Sequence, residues 1–253
     1  MLAKTEAIVL HSFKYGETKM IVDLFTRLHG RLAFVVSLPK TPKGRIKKQY
    51  FQPLTLLTIE CDVRPQLQLQ KLNDASILVP LPTLLCDPFK LSISLFLAEF
   101  LYHALRSEQQ NKPLFDYVRS SIEWLDGRER DFANFHLVFL MHLSRFLGFY
   151  PSSLTPSPSH KEKGVETKGE GLYFDLRTAT YCSAPPLHHD FLMPEEARML
   201  RLMMRMDFAT MHLFRMNRQQ RNRCLEVALQ FYRLHLPDFP ILRSLEVLRD
   251  LWA

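Results

Sequence analysis

The sequence predicts an α+β protein of two domains, a small five-stranded barrel at residues 1–80 and an all-helical domain at residues 81–253. Three observations predict this class. Short runs rich in β-branched and aromatic residues fill residues 5–75. The spacing of apolar residues becomes helical after Pro80 and Pro82. A chain of 253 residues also suits two domains better than one, at about 100–200 residues each.

The first 80 residues contain five predicted strands. The first four are rich in Ile, Val, Leu, Phe and Thr, and lie at residues 5–13, 19–27, 31–38 and 49–61. His29-Gly30 is typical of a tight turn between the second and third strands. The fifth strand, residues 66–72, alternates between polar and apolar residues, which indicates one buried face. Five short strands favour a closed or partly open barrel, and the OB-fold is one such barrel.

The remaining residues contain six predicted helices and one insertion. The helices are expected at residues 89–106, 114–125, 132–147, 194–206, 215–235 and 243–251. Gly148 is placed to cap the third helix. Residues 151–170 are poor in apolar residues and rich in Pro, Ser, Lys and Glu, which predicts a polar loop. Residues 171–183 are expected to form a small hairpin.

The positive charge of the chain is concentrated in two blocks. The net charge is +7, and residues 1–80 hold 12 Lys+Arg against 6 Asp+Glu. Residues 198–233 hold 8 Arg against 2 acids, whereas residues 81–197 hold 11 basic against 15 acidic residues. Two basic blocks separated by an acidic middle indicate two anion-facing surfaces.

The first block contains a cationic loop between the third and fourth predicted strands. Five cations occur in nine residues with no acid, at Lys40, Lys43, Arg45, Lys47 and Lys48. Cations beside a barrel face can follow a phosphate backbone, so this loop favours nucleic-acid binding over a merely solvated surface. The neighbouring strands extend the predicted site, with Lys14, Lys19, Arg27 and Arg31 as further cations and Tyr15 and Tyr50 as rings for base stacking.

The second block is helical and rich in arginine. Arg198, Arg201 and Arg205 follow helical spacing, so they line one helix face, and Arg215, Arg218 and Arg221 crowd the start of the next helix. Methionines and Leu202 are interleaved with them. Arginine binds carboxylates in bidentate geometry, so this block could receive an acidic, hydrophobic peptide. A hydrated outer face is the alternative.

The sequence does not favour an enzyme, a metal-binding protein or a membrane protein. It contains no phosphate-binding glycine loop, no G-x-S-x-G motif and no H-E-x-x-H motif, so we do not expect an enzyme. The four cysteines have no Cys-x-x-Cys spacing, so we expect reduced thiols, no metal and no cofactor. The most apolar of the later stretches, residues 91–105, is interrupted by polar residues and is too short to cross a membrane. A cytoplasmic protein is expected.

The order of several short motifs resembles that of the RecO family of bacterial DNA repair and recombination mediators. The motifs are residues 5–10, Tyr15-Gly16-Glu17-Thr18, Leu24-Phe25-Thr26, His29-Gly30-Arg31, Gln52-Pro53-Leu54, residues 146–151 and residues 245–249. Each is modest alone, but together they span residues 4–251. Many members carry a four-cysteine zinc site after the third helix, and here residues 151–190 supply only Cys182.

The resemblance implies an N-terminal OB-fold, binding of single- and double-stranded DNA, and annealing of complementary strands. It also implies partnership with RecR and with the acidic C-terminal tail of single-stranded-DNA-binding protein, loading of RecA, and a location at the nucleoid. The arginine block of residues 198–223 is the predicted receptor for that tail. An RNA-binding OB-fold module shares the same charge pattern, and only the family motifs separate the two interpretations.

Overall fold

The computed structural model describes residues 2–38, 46–64, 66–151 and 171–250. The predicted DNA-binding residues Lys40, Lys43 and Arg45 lie outside the described residues, as does nearly all of the predicted polar loop. The chain forms two compact units, Met1–Glu129 with Pro240–Ala253, and Arg130–Phe239. This division differs from the boundary at residue 80, which stays a prediction.

The first unit contains a closed five-stranded barrel. Its strands are β1 (Leu2–Tyr15), β2 (Lys19–Thr26), β3 (Gly30–Ser37), β4 (Leu56–Asp62) and β5 (Leu69–Val79). They close in the order β1-β2-β3-β5-β4, with β3 and β5 parallel and the other pairs antiparallel. This topology is that of an OB-fold, so the predicted fold class is confirmed.

Three strands differ in extent from the prediction, and the first of them runs over Leu2–Tyr15 rather than residues 5–13. The fourth begins at Leu56 rather than at residue 49, because Lys48–Phe51 forms a 3-10 turn and Leu54 has a positive φ of 60°. The fifth runs on to Val79, well beyond residue 72, since it pairs with β4 along most of its length.

A β-bulge in β1 changes which residues point into the barrel. Up to Val9 the inward positions are odd-numbered, and Ala7 and Val9 belong to the buried core. The register with β2 shifts between Val9 and His11. Beyond that shift, Met20 and Val22 of the core lie opposite even-numbered residues of β1. The odd-numbered residues therefore point outward, since directly opposed residues share a face of the sheet. These outward residues are His11, Phe13 and Tyr15.

Three helices complete the first unit: α1 (Pro88–Ala104), α2 (Lys112–Asp126) and α6 (Ser244–Asp250). Asp87 caps α1 by accepting hydrogen bonds from backbone N–H groups, as Asn111 does for α2. Between α1 and α2 the chain passes close to Gly30, where a Cβ atom would lie 2.3 Å from the carbonyl oxygen of Glu108. Gly30 also has a positive φ of 70°, so this contact depends on glycine.

The second unit packs three helices with a small sheet. The helices are α3 (Phe135–Phe146), α4 (Pro194–Arg205) and α5 (Arg218–His235). The predicted hairpin is present as β6 (Tyr173–Asp175) and β7 (Thr180–Cys182), and β8 (Phe191–Leu192) adds a third strand beside β6. The last helix of the unit begins at Arg218 rather than at residue 215, because Asn217 and Gln220 form a capping box there.

Candidate nucleic-acid interface

Exposed lysines surround the hairpin end of β1 and β2. Gly16 turns the chain with a φ of 69°, and Tyr15 pairs directly with Lys19 across the hairpin. Lys14 and Lys19 are both exposed beside this turn. Lys19 also lies opposite Ser37 of β3, the last described strand residue before the cationic loop.

The described end of the cationic loop lies against the barrel. Lys47 and Lys48 are exposed, while Phe51 at the end of the 3-10 turn is buried in the barrel core. The hydroxyl of Ser12 donates to the carbonyl oxygen of Phe51 over 2.9 Å, which ties this turn to β1. Tyr50 is half-buried and packs against the same core, so only part of its ring is available for stacking.

Two of the predicted DNA-binding arginines are paired with other residues of the first unit. Arg27 makes a bidentate ion pair with Asp116 of α2, over 3.0 and 3.1 Å. Arg31 donates to Asp23 over 3.0 Å and to the carbonyl oxygen of Tyr102 over 2.6 Å, and its guanidinium lies 4.1 Å from the centre of the Tyr102 ring. Its side chain is 12% exposed. Both arginines therefore act first in holding strands and helices together.

Asp23 carries the negative charge on this part of the outer sheet face. Burial acts to raise the pKa of Asp23, but the His11 ring, 3.9 Å from the carboxylate, and the hydrogen bond from Arg31 outweigh that effect and hold the pKa below its usual value. The carboxylate is thus charged, and its charge is compensated by Arg31 within the fold. It offsets little of the positive charge that the lysines present.

The outer face of β1 also exposes rings that sequence analysis did not select. Phe13 and His11 are both exposed there, beside Tyr15. The only signal in the sequence is the alternation His-x-Phe-x-Tyr at residues 11–15. These rings fall on the same odd-numbered positions as Ala7 and Val9. Without knowledge of the bulge, that alternation places Phe13 inside the barrel.

An apolar pocket lies between α4 and α5 in the second unit. Its volume is about 280 Å³, and its lining includes Met199, Leu200, Met203, Cys224 and Val227. Arg223 stands at this pocket, where its Nε donates to Glu196 over 2.7 Å and its Nη1 donates to Glu226 over 3.1 Å. The pocket could hold an aliphatic or aromatic side chain, with a guanidinium at its edge.

The structure separates the predicted arginines of the second unit from this pocket. Successive residues of a helix are rotated by about 100°, so Arg198, Arg201 and Arg205 lie on the side of α4 opposite Met199 and Met203. All three are exposed, and the guanidinium of Arg201 lies over the Tyr181 ring at 4.7 Å.

The arginines at the start of α5 have three different environments. Arg215 is exposed and Arg218 is half-buried. Arg221 is buried, and its guanidinium donates to Asn134 over 3.1 Å and to the carbonyl oxygen of Met216 over 3.0 Å. Burial lowers the pKa of Arg221, as expected for a charged group removed from water. A structural role accounts for this residue.

The described residues hold no candidate metal site, since they contain no group of three or more His, Cys, Asp or Glu residues that could bind an ion. Cys182 lies in β7, and the nearby His188 lies 3.4 Å from the carboxylate of Asp175. The expectation of no bound metal stays a prediction. Within the same ranges, no helix is both long and apolar enough to cross a membrane.

Comparison with known proteins covers the whole chain. Residues 1–81 match the family model described as Recombination protein O N terminal, and residues 85–245 match Recombination protein O C terminal. The chain is 50% identical to the DNA repair protein RecO of Phocaeicola vulgatus and 49% identical to that of Bacteroides fragilis, over the full length of both chains in each case. It is 30% identical to the corresponding protein of Porphyromonas gingivalis, again over both full lengths. With its barrel and helical region in the matching order, this chain belongs to the RecO family.

Proposed function

We propose that this chain is a DNA-binding recombination mediator that acts in DNA repair. In this proposal it binds single- and double-stranded DNA through the barrel and anneals complementary strands. Together with RecR it helps to load RecA onto DNA that is coated by single-stranded-DNA-binding protein. It does so in the cytoplasm, at the nucleoid, and without catalysing a reaction. Membership of the RecO family over the whole chain supports the proposal.

The observation that carries DNA binding is the set of exposed lysines on the barrel. Lys14, Lys19, Lys47 and Lys48 are all exposed, and none forms an ion pair with another described residue. Uncompensated lysines release counterions when they neutralise phosphates, which drives binding to a polyanion. Lys40, Lys43 and Arg45 of the same loop add to this set by sequence. Arg27 and Arg31 are left out, because both are engaged within the first unit.

We propose that the second unit receives the acidic tail of single-stranded-DNA-binding protein. Such a tail combines carboxylates with a terminal hydrophobic residue, so its receptor needs a cation beside an apolar pocket. The pocket between α4 and α5 offers an apolar lining that includes Met199 and Met203, and at its edge Arg223, whose partners within the fold are Glu196 and Glu226. A tail carboxylate would then take the place of Glu196 on Arg223. The outward arginines of α4, Arg198, Arg201 and Arg205, form the competing site.

The decisive experiment is an annealing assay with complementary single strands coated by single-stranded-DNA-binding protein. We expect wild type to speed annealing, and the variant with Lys14, Lys19, Lys47 and Lys48 changed to Ala to lose most of this effect. A control variant removes the same charge from exposed residues elsewhere, by changing Arg106, Lys112, Arg130 and Arg233 to Ala. It should anneal as wild type does. No annealing by folded wild type would contradict the proposal, and a preference for RNA strands would favour the RNA-binding module.

A further inference from the structure

The outer face of β1 carries a row of exposed rings. His11, Phe13 and Tyr15 occupy alternate positions after the bulge, so all three side chains leave the same face of the strand. Phe13 is 44% exposed, Tyr15 is 55% exposed, and the side chain of His11 is 48% exposed. The rings of His11 and Phe13 lie 5.7 Å apart. The strand thus exposes three ring side chains to solvent on the outer face of the barrel.

The neighbouring strands place apolar and basic side chains around this row. Phe13 lies opposite Ile21 of β2, which in turn lies opposite Val35 of β3, and both are partly exposed. Tyr15 lies opposite the exposed Lys19, and Val35 lies opposite the exposed Lys71 of β5. The face is therefore an apolar and aromatic strip with a lysine on either side.

At the His11 end of the row, the negative charge of Asp23 is balanced within the fold. His11 lies opposite Asp23, whose carboxylate accepts a hydrogen bond from Arg31. The ring of Tyr102 stands 4.9 Å from His11 and is covered on one side by the guanidinium of Arg31. These contacts fix one end of the row, so His11 is held in place beside two more exposed rings.

We infer that this row stacks consecutive bases of an unpaired nucleic-acid strand, an inference that rests on the proposed binding of DNA by the barrel. Alternate residues of a strand are about 6.6–6.8 Å apart, whereas stacked bases within a duplex repeat at about 3.4 Å. Bases that meet successive rings must therefore be separated from one another, which an unpaired strand allows without the cost of unstacking a duplex. The flanking lysines suit its phosphates, and ring stacking accepts any base sequence.

In this assignment the barrel makes two kinds of contact with DNA. The lysines bind phosphates, which single-stranded and duplex DNA both carry. The rings contact base faces, which duplex DNA keeps inside its stack. Loss of the rings should therefore weaken single-strand binding alone, whereas loss of the lysines should weaken the binding of both forms.

The test uses the full-length chain and a Phe13→Leu/Tyr15→Leu double variant. Binding of a labelled single strand and of a duplex of equal length is measured by fluorescence anisotropy at several salt concentrations. We expect the double variant to bind the single strand about tenfold or more weakly, because the bases that stacked on the two rings lose that contribution to binding. Its duplex affinity and the salt dependence of that affinity should match those of wild type. A Phe13→Tyr/Tyr15→Phe variant keeps both rings and should bind both forms as wild type does.

A single strand that carries 2-aminopurine gives a second measurement. Stacking on a protein ring should change its fluorescence with wild type and with the conservative variant, but much less with the leucine variant. If wild type binds both DNA forms and the leucine variant keeps the wild-type ratio of affinities, the row does not stack bases, although DNA binding stands. If wild type binds neither form, the proposed function itself is wrong.

Discussion

Glu99 of α1 caps α6 by holding Ser244, which follows it by 145 positions in the chain. One carboxylate oxygen of Glu99 accepts hydrogen bonds from both the backbone N–H and the hydroxyl of Ser244. The other oxygen accepts a hydrogen bond from the backbone N–H of Arg243 over 3.0 Å. Burial acts to raise the pKa of Glu99, but these hydrogen bonds hold it below its usual value. These hydrogen bonds hold the start of α6, the last described helix, against α1.

Replacing Glu99 with Ala should destabilise the first unit. Hydrogen bonds to a charged group contribute about 1.5–3 kcal/mol each, and the partners at the start of α6 would turn to water, so we expect a loss of about 2 kcal/mol. Urea unfolding measures this change. Glu129→Ala removes the same charge from an exposed position and should change stability by less than about 0.5 kcal/mol. Equal midpoints for the two variants would show that the Glu99 contact contributes nothing.

His136 should make the second unit less stable as the pH falls. Burial, with a smaller effect from Arg221, lowers the pKa of His136 from 6.5 to about 3. Between those values the unfolded chain binds a proton that the folded chain does not, so the free energy of unfolding decreases as the pH falls. The slope is at most about 1.4 kcal/mol per pH unit.

The His136→Phe variant isolates this effect. Its free energy of unfolding should depend less steeply on pH between 6.5 and about 5 than that of wild type, as measured by urea unfolding at each pH. His189→Phe changes an exposed histidine and should keep the wild-type slope. If the His136 variant also keeps it, this histidine does not resist protonation in the folded state.

The cationic loop should dominate the salt dependence of duplex binding. Changing Lys43, Arg45, Lys47 and Lys48 to Ala should weaken binding at every sequence and flatten the plot of log K against log salt, by about 0.9 for each phosphate that the loop no longer neutralises. The control variant at Arg106, Lys112, Arg130 and Arg233 should keep the wild-type slope. An unaltered slope in the folded loop variant would move the DNA site away from the loop.

Removal of the Arg221 side chain should lower the free energy of unfolding. Its removal leaves Asn134 and the carbonyl oxygen of Met216 without their buried donor, so Arg221→Ala should cost about 2 kcal/mol. The exposed Arg198→Ala should cost less than about 0.5 kcal/mol. Thermal and urea unfolding compare the two, and similar stability of both variants would contradict a structural role for Arg221.

The tail-binding site can be located with a labelled tail peptide and two variants. Arg223→Glu places a negative charge at the α4–α5 pocket and should weaken peptide binding by tenfold or more. Arg201→Glu changes the opposite side of α4 and should leave binding unchanged. The reverse result would assign the tail to the outward arginines instead. Full binding by both single variants would remove the second unit as the receptor.

The barrel could be predicted from sequence more fully than its surface. Composition and turn residues identify five strands, because apolar β-branched and aromatic runs between turn residues are a local feature of the sequence. The outward positions of His11 and Phe13 could not be found this way, since one extra residue near Leu10 reverses the inward and outward positions of β1. In the sequence, four consecutive apolar residues, Ala7 to Leu10, precede the alternating residues 11–15, and this pattern carries no sign of the reversal.

The surroundings of the arginines could be predicted from the sequence only in part. Periodicity correctly places Arg198, Arg201 and Arg205 on one helix face, but it does not say which face meets α5. Only packing shows that the pocket forms on the other side, with Arg223 at its edge. Likewise, Arg27 and Arg31 look like free cations until their partners Asp116 and Asp23 are brought beside them from distant parts of the chain or the adjacent strand.

The return of the chain to its first unit after residue 239 has a consequence for synthesis on the ribosome. The second unit, Arg130–Phe239, is contiguous, so all of its residues have been made before α6 begins. The first unit begins earlier yet is completed later, because Glu99 has no Ser244 to hold until Ser244–Asp250 has emerged. In a nascent chain the five strands of the barrel are therefore complete by Val79, whereas the contact between α1 and α6 forms only after Ser244–Asp250 has been made.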